Sequence, residues 1–69
     1  SQTLEFPDHP LMLELKACAE MGYRKGVQQR LAELHEQGIL NPATQQHLEK
    51  LCRQFQFEQL ATLLNTELL

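Results

Sequence analysis

Two glycines, four residues apart, interrupt an otherwise continuous helical pattern between Leu15 and Leu34. The interrupting segment, residues 21–27, has the sequence Met-Gly-Tyr-Arg-Lys-Gly-Val, and apolar residues recur at helical spacing on both sides of it. Glycine adopts the left-handed conformation that ends many helices, so Gly22 is expected to close one helix just before the next begins. The pattern therefore predicts a tight helical hairpin, whose bend, residues 22–26, we call the elbow.

Two predicted helices flank the elbow. The first is expected to start within residues 7–10, with Asp8 as its cap, and to end near Met21. Its apolar face consists of Leu11, Met12, Leu15, Cys18 and Ala19, followed by Gly22. The second is expected to run from Tyr23 or Arg24 to Glu36. Its inward positions are Tyr23, Val27, Leu31 and Leu34.

Two further helices follow a stop at Gly38. Asn41 is predicted to cap the third helix, and Pro42 to occupy its first turn. The fourth is predicted to begin near Phe57, after a join at residues 54–57 that contains neither glycine nor proline. The predicted apolar faces are Leu48, Leu51, Cys52 and Phe55 in the third helix, and Phe57, Leu60, Ala61 and Leu64 in the fourth.

Short connections between successive helices favour antiparallel neighbours. The predicted fold is therefore all-α: a compact four-helix domain built from two helical hairpins, spanning residues 8–67, with residues 1–7 as a linker. No segment alternates at period two for long enough to form a strand. A tetratricopeptide-type repeat is a weaker alternative, because its small and aromatic residues do not recur here at a fixed period. We expect the chain to be one domain of a longer protein.

Size and charge limit the functions open to this domain. A chain of 69 residues is expected to be marginally stable, which favours a dimer or docking onto another domain, and to be too small to enclose an active site. Nucleic acid is not an expected partner, because nine acidic and six basic side chains are mixed along the chain without a basic stripe. Membrane insertion is not expected either, because no apolar run approaches the roughly 18 residues that span a bilayer.

The two cysteines, Cys18 and Cys52, both lie in apolar helical stripes. They are expected to be buried, reduced thiols, with a disulfide between the two hairpins as the alternative. Neither forms a metal motif with His9, His35 or His47, so no metal or other cofactor is expected. Reduced cysteines and the absence of a signal peptide favour a cytoplasmic location.

Arg24 and Lys25 are the least conventional residues of the elbow. Cations at the start of a helix oppose its macrodipole, at a cost of about 0.3–1 kcal/mol each when exposed. Local rules that are broken without an evident structural gain tend to mark functional sites, so Tyr23, Arg24 and Lys25 are predicted to bind a protein partner. The alternative is a solvated elbow in which Glu20 offsets one charge. Gly26 is expected to allow close packing against the first helix.

No catalytic site is predicted, and the domain is not expected to be an enzyme. No serine or cysteine has a histidine and a carboxylate at a recognisable spacing, and no glycine-rich phosphate loop is present. Residues 47–51 superficially resemble the histidine motif of phosphotransfer domains, which makes phosphotransfer through His47 an alternative function. Leu51 stands where that motif has glycine.

The order of landmarks from Leu11 to Leu64 resembles the small helical region at the C-terminal end of some bacterial hybrid sensor histidine kinases and related response-regulator proteins. The resemblance begins with a leucine- and alanine-rich helix that leads into the double-glycine elbow. It continues with Arg-Leu-Ala-Glu-Leu at residues 30–34, Leu-Glu-Lys-Leu-Cys-Arg at residues 48–53 and a phenylalanine-led final helix from residue 55.

That resemblance implies a noncatalytic regulatory or protein-interaction module of a bacterial two-component signalling protein in the cytoplasm. The implied partner is a kinase core, a receiver domain or a second copy of the chain. No catalytic residue is carried over, because the catalytic histidine and phosphoacceptor aspartate of that family belong to other domains. A homodimer is also suggested by Leu63, Leu64, Leu68 and Leu69, which so small a core is not expected to cover. A purely structural helical cap is the remaining alternative.

Overall fold

Four helices account for most of the chain. The structure is a computed structural model that describes residues 4–68, and its helices are α1 (Pro10–Met21), α2 (Arg24–Glu36), α3 (Pro42–Arg53) and α4 (Phe57–Glu67). No strand occurs within residues 4–68, and the predicted all-α four-helix domain is confirmed. None of the helices in this described range is both long and apolar enough to cross a membrane.

α1 begins at Pro10, whose fixed φ suits the first helical position. The preceding residue, His9, has an extended backbone, and its Nδ1 atom accepts a hydrogen bond from the backbone N–H of Leu11 at 3.1 Å. The prediction that Asp8 caps this helix is wrong. Because the proline sets the first turn, the capping position falls on the residue directly before it.

α3 begins as predicted. The Oδ1 atom of Asn41 accepts a hydrogen bond from the backbone N–H of Thr44 at 2.8 Å, and a proline occupies the first turn. The segment before α1 lies against this helix start, since the N–H of Glu5 donates to Thr44 Oγ1 at 2.8 Å and Phe6 packs on the core. The segment predicted to be a linker is therefore partly packed on the domain, and its first three residues lie outside the described part of the chain.

α1, α2 and α3 end with the same backbone hydrogen-bond pattern, the Schellman motif. In each, a residue just after the helix adopts a left-handed backbone: Gly22 (φ 68°), Gly38 (φ 63°) and Phe55 (φ 58°). After α3, for example, the N–H of Gln56 donates to the carbonyl of Leu51 at 2.9 Å. Gly22 thus closes α1 as predicted, whereas the third motif uses a residue type that rarely adopts this conformation.

The helices form a closed ring of contacts, in which α1 packs against α2 and α4, and α3 packs against the same two helices. The largest fully buried side chains of the core are Met12, Leu15, Leu34, Leu48, Leu60 and Leu64. The elbow and the turn between α3 and α4 meet at one end of this bundle, where Arg24 contacts Phe55. The end of α1 and the start of α4 line a common groove there. We call this end of the bundle the turn end.

The leucines near the C-terminus are better covered than the sequence predicts. Leu64 is fully buried, and Leu63 and Leu68 are partly buried against the core. The prediction that Leu64 lies on the apolar face of the fourth helix is therefore confirmed, and the prediction that the core leaves it uncovered is wrong. Leu69 lies outside the described residues. Because Leu63, Leu64 and Leu68 are buried or partly buried, they give little support to a homodimer.

Candidate protein-docking surface at the turn end

The three predicted partner-binding residues lie at the start of α2. Tyr23 directly precedes the helix and is 53% exposed, and Arg24 and Lys25 are exposed in the first turn. The prediction that Tyr23 faces inward is wrong, because Tyr23 lies before the helix and not on its inner face. The first turn contains no acidic residue, and the Tyr23 side chain makes no capping hydrogen bond. Both bases therefore lie at the N-terminal, positive end of the helix dipole, where a positive charge is unfavourable.

Arg24 contacts an aromatic ring from the other hairpin. Its guanidinium carbon lies 4.9 Å from the ring centroid of Phe55, which is within range of a cation–π interaction. Because Phe55 is 61% exposed, the pair forms part of the molecular surface. The prediction that Phe55 lies on the buried face of α3 is wrong. α3 ends at Arg53, and helical periodicity no longer applies to the left-handed residue that follows.

A phenylalanine in the left-handed conformation is energetically unfavourable. A non-glycine residue there costs roughly 1–2 kcal/mol, and the equivalent positions after α1 and α2 are both glycine. The Phe55 ring offsets part of this cost through Arg24 and through an edge-on contact with Phe57, with ring centroids 6.2 Å apart and an interplanar angle of 77°. Each such contact contributes about 0.5–1.5 kcal/mol. An exposed aromatic residue at a strained backbone position is a marker of functional sites.

Two substitutions of Phe55 separate the backbone strain from the ring contacts. Phe55→Ala and Phe55→Gly both remove the ring, but only glycine relieves the left-handed strain. We expect the Phe55→Gly variant to be more stable than the Phe55→Ala variant, with a free energy of unfolding about 1 kcal/mol higher. Urea titration followed by circular dichroism measures this difference. Gly38→Ala is the matched control: it introduces the same strain (φ 63°) where nothing lies within 4 Å of the new methyl group. Equal stabilities of the two Phe55 variants would contradict the left-handed conformation.

Other exposed side chains adjoin the Arg24–Phe55 pair. Met21, the last residue of α1, is 70% exposed and lines a groove with Phe57. Four large hydrophobic side chains are exposed within residues 4–68, and three of them lie at the turn end; the fourth is Leu13 on α1. We define the elbow surface as Met21, Tyr23, Arg24, Lys25 and Phe55.

Gly26 lies where α1 and α2 approach closely. A Cβ atom at this position would lie 2.6 Å from Sγ of Cys18 and 2.7 Å from Cδ2 of Tyr23, so the site has no room for a side chain. The predicted close packing of Gly26 against the first helix is confirmed. The Tyr23 ring therefore lies against Gly26, while Arg24 reaches across to the turn that follows α3.

Both cysteines, Cys18 and Cys52, are free and buried, as predicted. Burial raises the pKa of the Cys52 thiol above its usual value, and the nearby charges of Arg24 and Arg53 partly counteract this rise. The thiol of Cys52 is therefore protonated at neutral pH, which makes it a poor nucleophile.

None of the three histidines belongs to the elbow surface. His47 is exposed on α3, His35 lies in the last turn of α2, and His9 caps α1. Within residues 4–68, no group of three or more histidine, cysteine and carboxylate side chains is placed to hold a metal ion.

Comparison of the chain with models of protein families, with curated proteins and with solved structures found no match. The resemblance to bacterial signalling proteins therefore stays a prediction. The function of this domain has to be inferred from its own surface.

Met21 and Phe55 are the members of the elbow surface that were not predicted from the sequence, and Phe55 is the more important of the two because Arg24 contacts it. A signal for it was present, because the two earlier helix ends carry glycine, whereas the join at residues 54–57 has two phenylalanines and no glycine. An aromatic residue in place of a helix-ending glycine indicates that the ring has a role outside the core.

Proposed function

We propose that the domain is a noncatalytic protein-interaction module that docks through the elbow surface. The observation that carries this proposal is the exposed Arg24–Phe55 pair. The guanidinium carbon of Arg24 lies 4.9 Å from the centroid of the Phe55 ring, and the backbone of Phe55 is left-handed. Arginine and aromatic side chains are enriched at protein interfaces, where they supply a large share of the binding energy. Tyr23 and Met21 add exposed apolar area beside the pair.

We further propose that the module belongs to a bacterial two-component signalling protein in the cytoplasm. The support is the order of landmarks between Leu11 and Leu64. In that setting, the partner is a kinase core or a receiver domain, and the module regulates or positions it without taking part in the chemistry.

The test is a titration of the isotope-labelled domain with purified kinase cores and receiver domains, followed by NMR. We expect chemical-shift changes centred on residues 21–26 and 53–57. Tyr23→Ala and Arg24→Gln should each weaken binding about fivefold or more while leaving helicity unchanged. Lys16→Gln, which removes a base in the middle of α1, is the matched control and should leave affinity unchanged.

Two outcomes would contradict the proposal. Shift changes centred on another part of the bundle would remove the elbow surface from the interaction. The absence of binding to every kinase core and receiver domain tested would favour the alternative of a structural helical cap.

A further inference from the structure

The charges of the domain are divided between the two ends of the bundle. Four of the six bases lie at the turn end, in the first turn of α2 and the last turn of α3: Arg24, Lys25, Lys50 and Arg53. Three acidic residues lie at this end: Glu20 near the end of α1, Glu49 directly before Lys50 in α3, and Glu58 in the first turn of α4. The turn end therefore carries more bases than acids, although the whole chain has a formal net charge of −3.

The opposite end of the bundle is acidic. It contains the segment before α1, the end of α2, the start of α3 and the end of α4, and within residues 4–68 these parts carry no lysine or arginine. Their acidic residues are Glu5, Asp8, Glu33, Glu36 and Glu67. The remaining bases, Lys16 and Arg30, lie near the middle of α1 and α2. Arg30 is paired with Glu14 at 3.2 Å and with Glu33 at 3.9 Å, so Glu33 is partly neutralised.

We infer that the elbow surface receives an acidic segment of a partner protein that also carries an apolar side chain. This inference rests on the proposed docking function and names the chemistry of the partner. Carboxylates of such a segment would pair with Arg24 and Lys25, which oppose the dipole of α2 and have no acidic residue in their own turn. An apolar side chain would cover Phe55 and Met21, which are 61% and 70% exposed.

A second copy of the chain fits this surface less well than a short segment. Contact between the basic end of one copy and the acidic end of another is head-to-tail, which extends into chains instead of closing into a dimer. The domain also measures only 28 × 22 × 22 Å, so any one face of it is small beside the surface of about 800 Å² per partner that stable interfaces bury. A short acidic segment needs less area and gains from the concentration of bases.

The test uses three fluorescein-labelled peptides of about twelve residues and fluorescence anisotropy. The first peptide alternates glutamate with serine and has phenylalanine and leucine at its centre, the second replaces both apolar residues by serine, and the third replaces every glutamate by lysine. We expect the first peptide to bind most tightly, the second several-fold more weakly and the third not at all. Raising the salt from about 50 to about 300 mM should weaken the first complex several-fold, because screening reduces attraction between exposed charges.

Substitutions then locate the site. Arg24→Gln should weaken binding of the first peptide about five- to tenfold, because a charge-assisted contact is lost. Phe55→Gly should weaken it to a similar extent while preserving the fold, and Lys16→Gln should have no effect. Equal binding of the glutamate and lysine peptides, or an unchanged affinity of the Arg24→Gln domain, would overturn the inference.

The NMR titration with kinase cores and receiver domains distinguishes the two proposals. Shift changes at the elbow surface without binding of the acidic peptide would overturn the partner chemistry and leave the docking function intact. If neither the proteins nor the peptide binds there, both proposals fail. Concentration-dependent self-association that Arg24→Gln abolishes would identify the occupant as a second copy and would also overturn the acidic-segment inference.

Discussion

Leu15→Ala is expected to unfold most of the domain. Leu15 is fully buried in α1, and truncation of a buried leucine to alanine costs about 2–5 kcal/mol, including the cavity that it leaves. A core of this size rarely supplies more than roughly 3–5 kcal/mol in total. Because leucine and alanine have similar helix propensities, the loss reports packing and not helix formation. Circular dichroism in the absence of urea, followed by a urea titration, measures the effect.

Leu13→Ala is the matched control for this experiment. Leu13 lies two residues away on the same helix and is 57% exposed, so the same chemical change should cost less than about 0.5 kcal/mol. Equal stabilities of the Leu15→Ala and Leu13→Ala variants would contradict the burial of the Leu15 face of α1.

Gly26→Ala is expected to destabilise the domain by about 1–2 kcal/mol. Alanine favours a helix over glycine by up to about 1 kcal/mol, so a helix-propensity argument alone predicts the opposite sign. The new methyl group, however, would lie 2.6 Å from Sγ of Cys18 and 2.7 Å from the Tyr23 ring. Tyr23 is half-exposed and its ring can move, but Cys18 is buried between the helices, and overpacking of this kind costs about 1–3 kcal/mol. Urea titration gives the change in free energy of unfolding.

A double-mutant cycle isolates the contact between Gly26 and Cys18. In a Cys18→Ala background the sulfur is absent, so Gly26→Ala should lose more than half of its cost. Gly22→Ala is the matched control, because it introduces left-handed strain at φ 68° with nothing within 4 Å of the added atom. The Gly22→Ala substitution should lower the free energy of unfolding by about 1 kcal/mol whether residue 18 is cysteine or alanine. Strictly additive effects of the Cys18 and Gly26 substitutions would contradict the close approach of α1 and α2.

Most of the fold follows from signals that act within one turn of helix. Gly22 and Gly38 end helices because glycine adopts the left-handed backbone at little cost, and both positions have positive φ. Asn41 and the following proline start α3 through one local hydrogen bond and one fixed φ. These effects involve residues no more than five positions apart, so the sequence predicted them without knowledge of the packing.

The wrong predictions lie at helix ends, where periodicity does not show which residue is the first or the last in the helix, or where burial depends on a distant element. Periodicity extended one turn too far placed Phe55 on the buried face of α3 and Tyr23 on the inner face of α2, although both lie outside their helices. Leu64 was expected to be left uncovered because the sequence does not indicate how much of α4 packs on α1. The candidate site was therefore only half predicted: Tyr23, Arg24 and Lys25 were found, but the ring that Arg24 contacts was not.

The sequence by itself determined that the chain forms four helices, where the three connections between them lie and most of the apolar stripes that enter the core, because caps, glycines and helical periodicity are local. Only the tertiary structure decided which surface residues meet. Arg24 and Phe55 are 31 positions apart in the sequence, and their contact exists because α2 packs against α3 and brings the two turns to one end of the bundle. The separation of basic and acidic ends has the same origin, since bases mixed along the chain become neighbours only when the helices are packed.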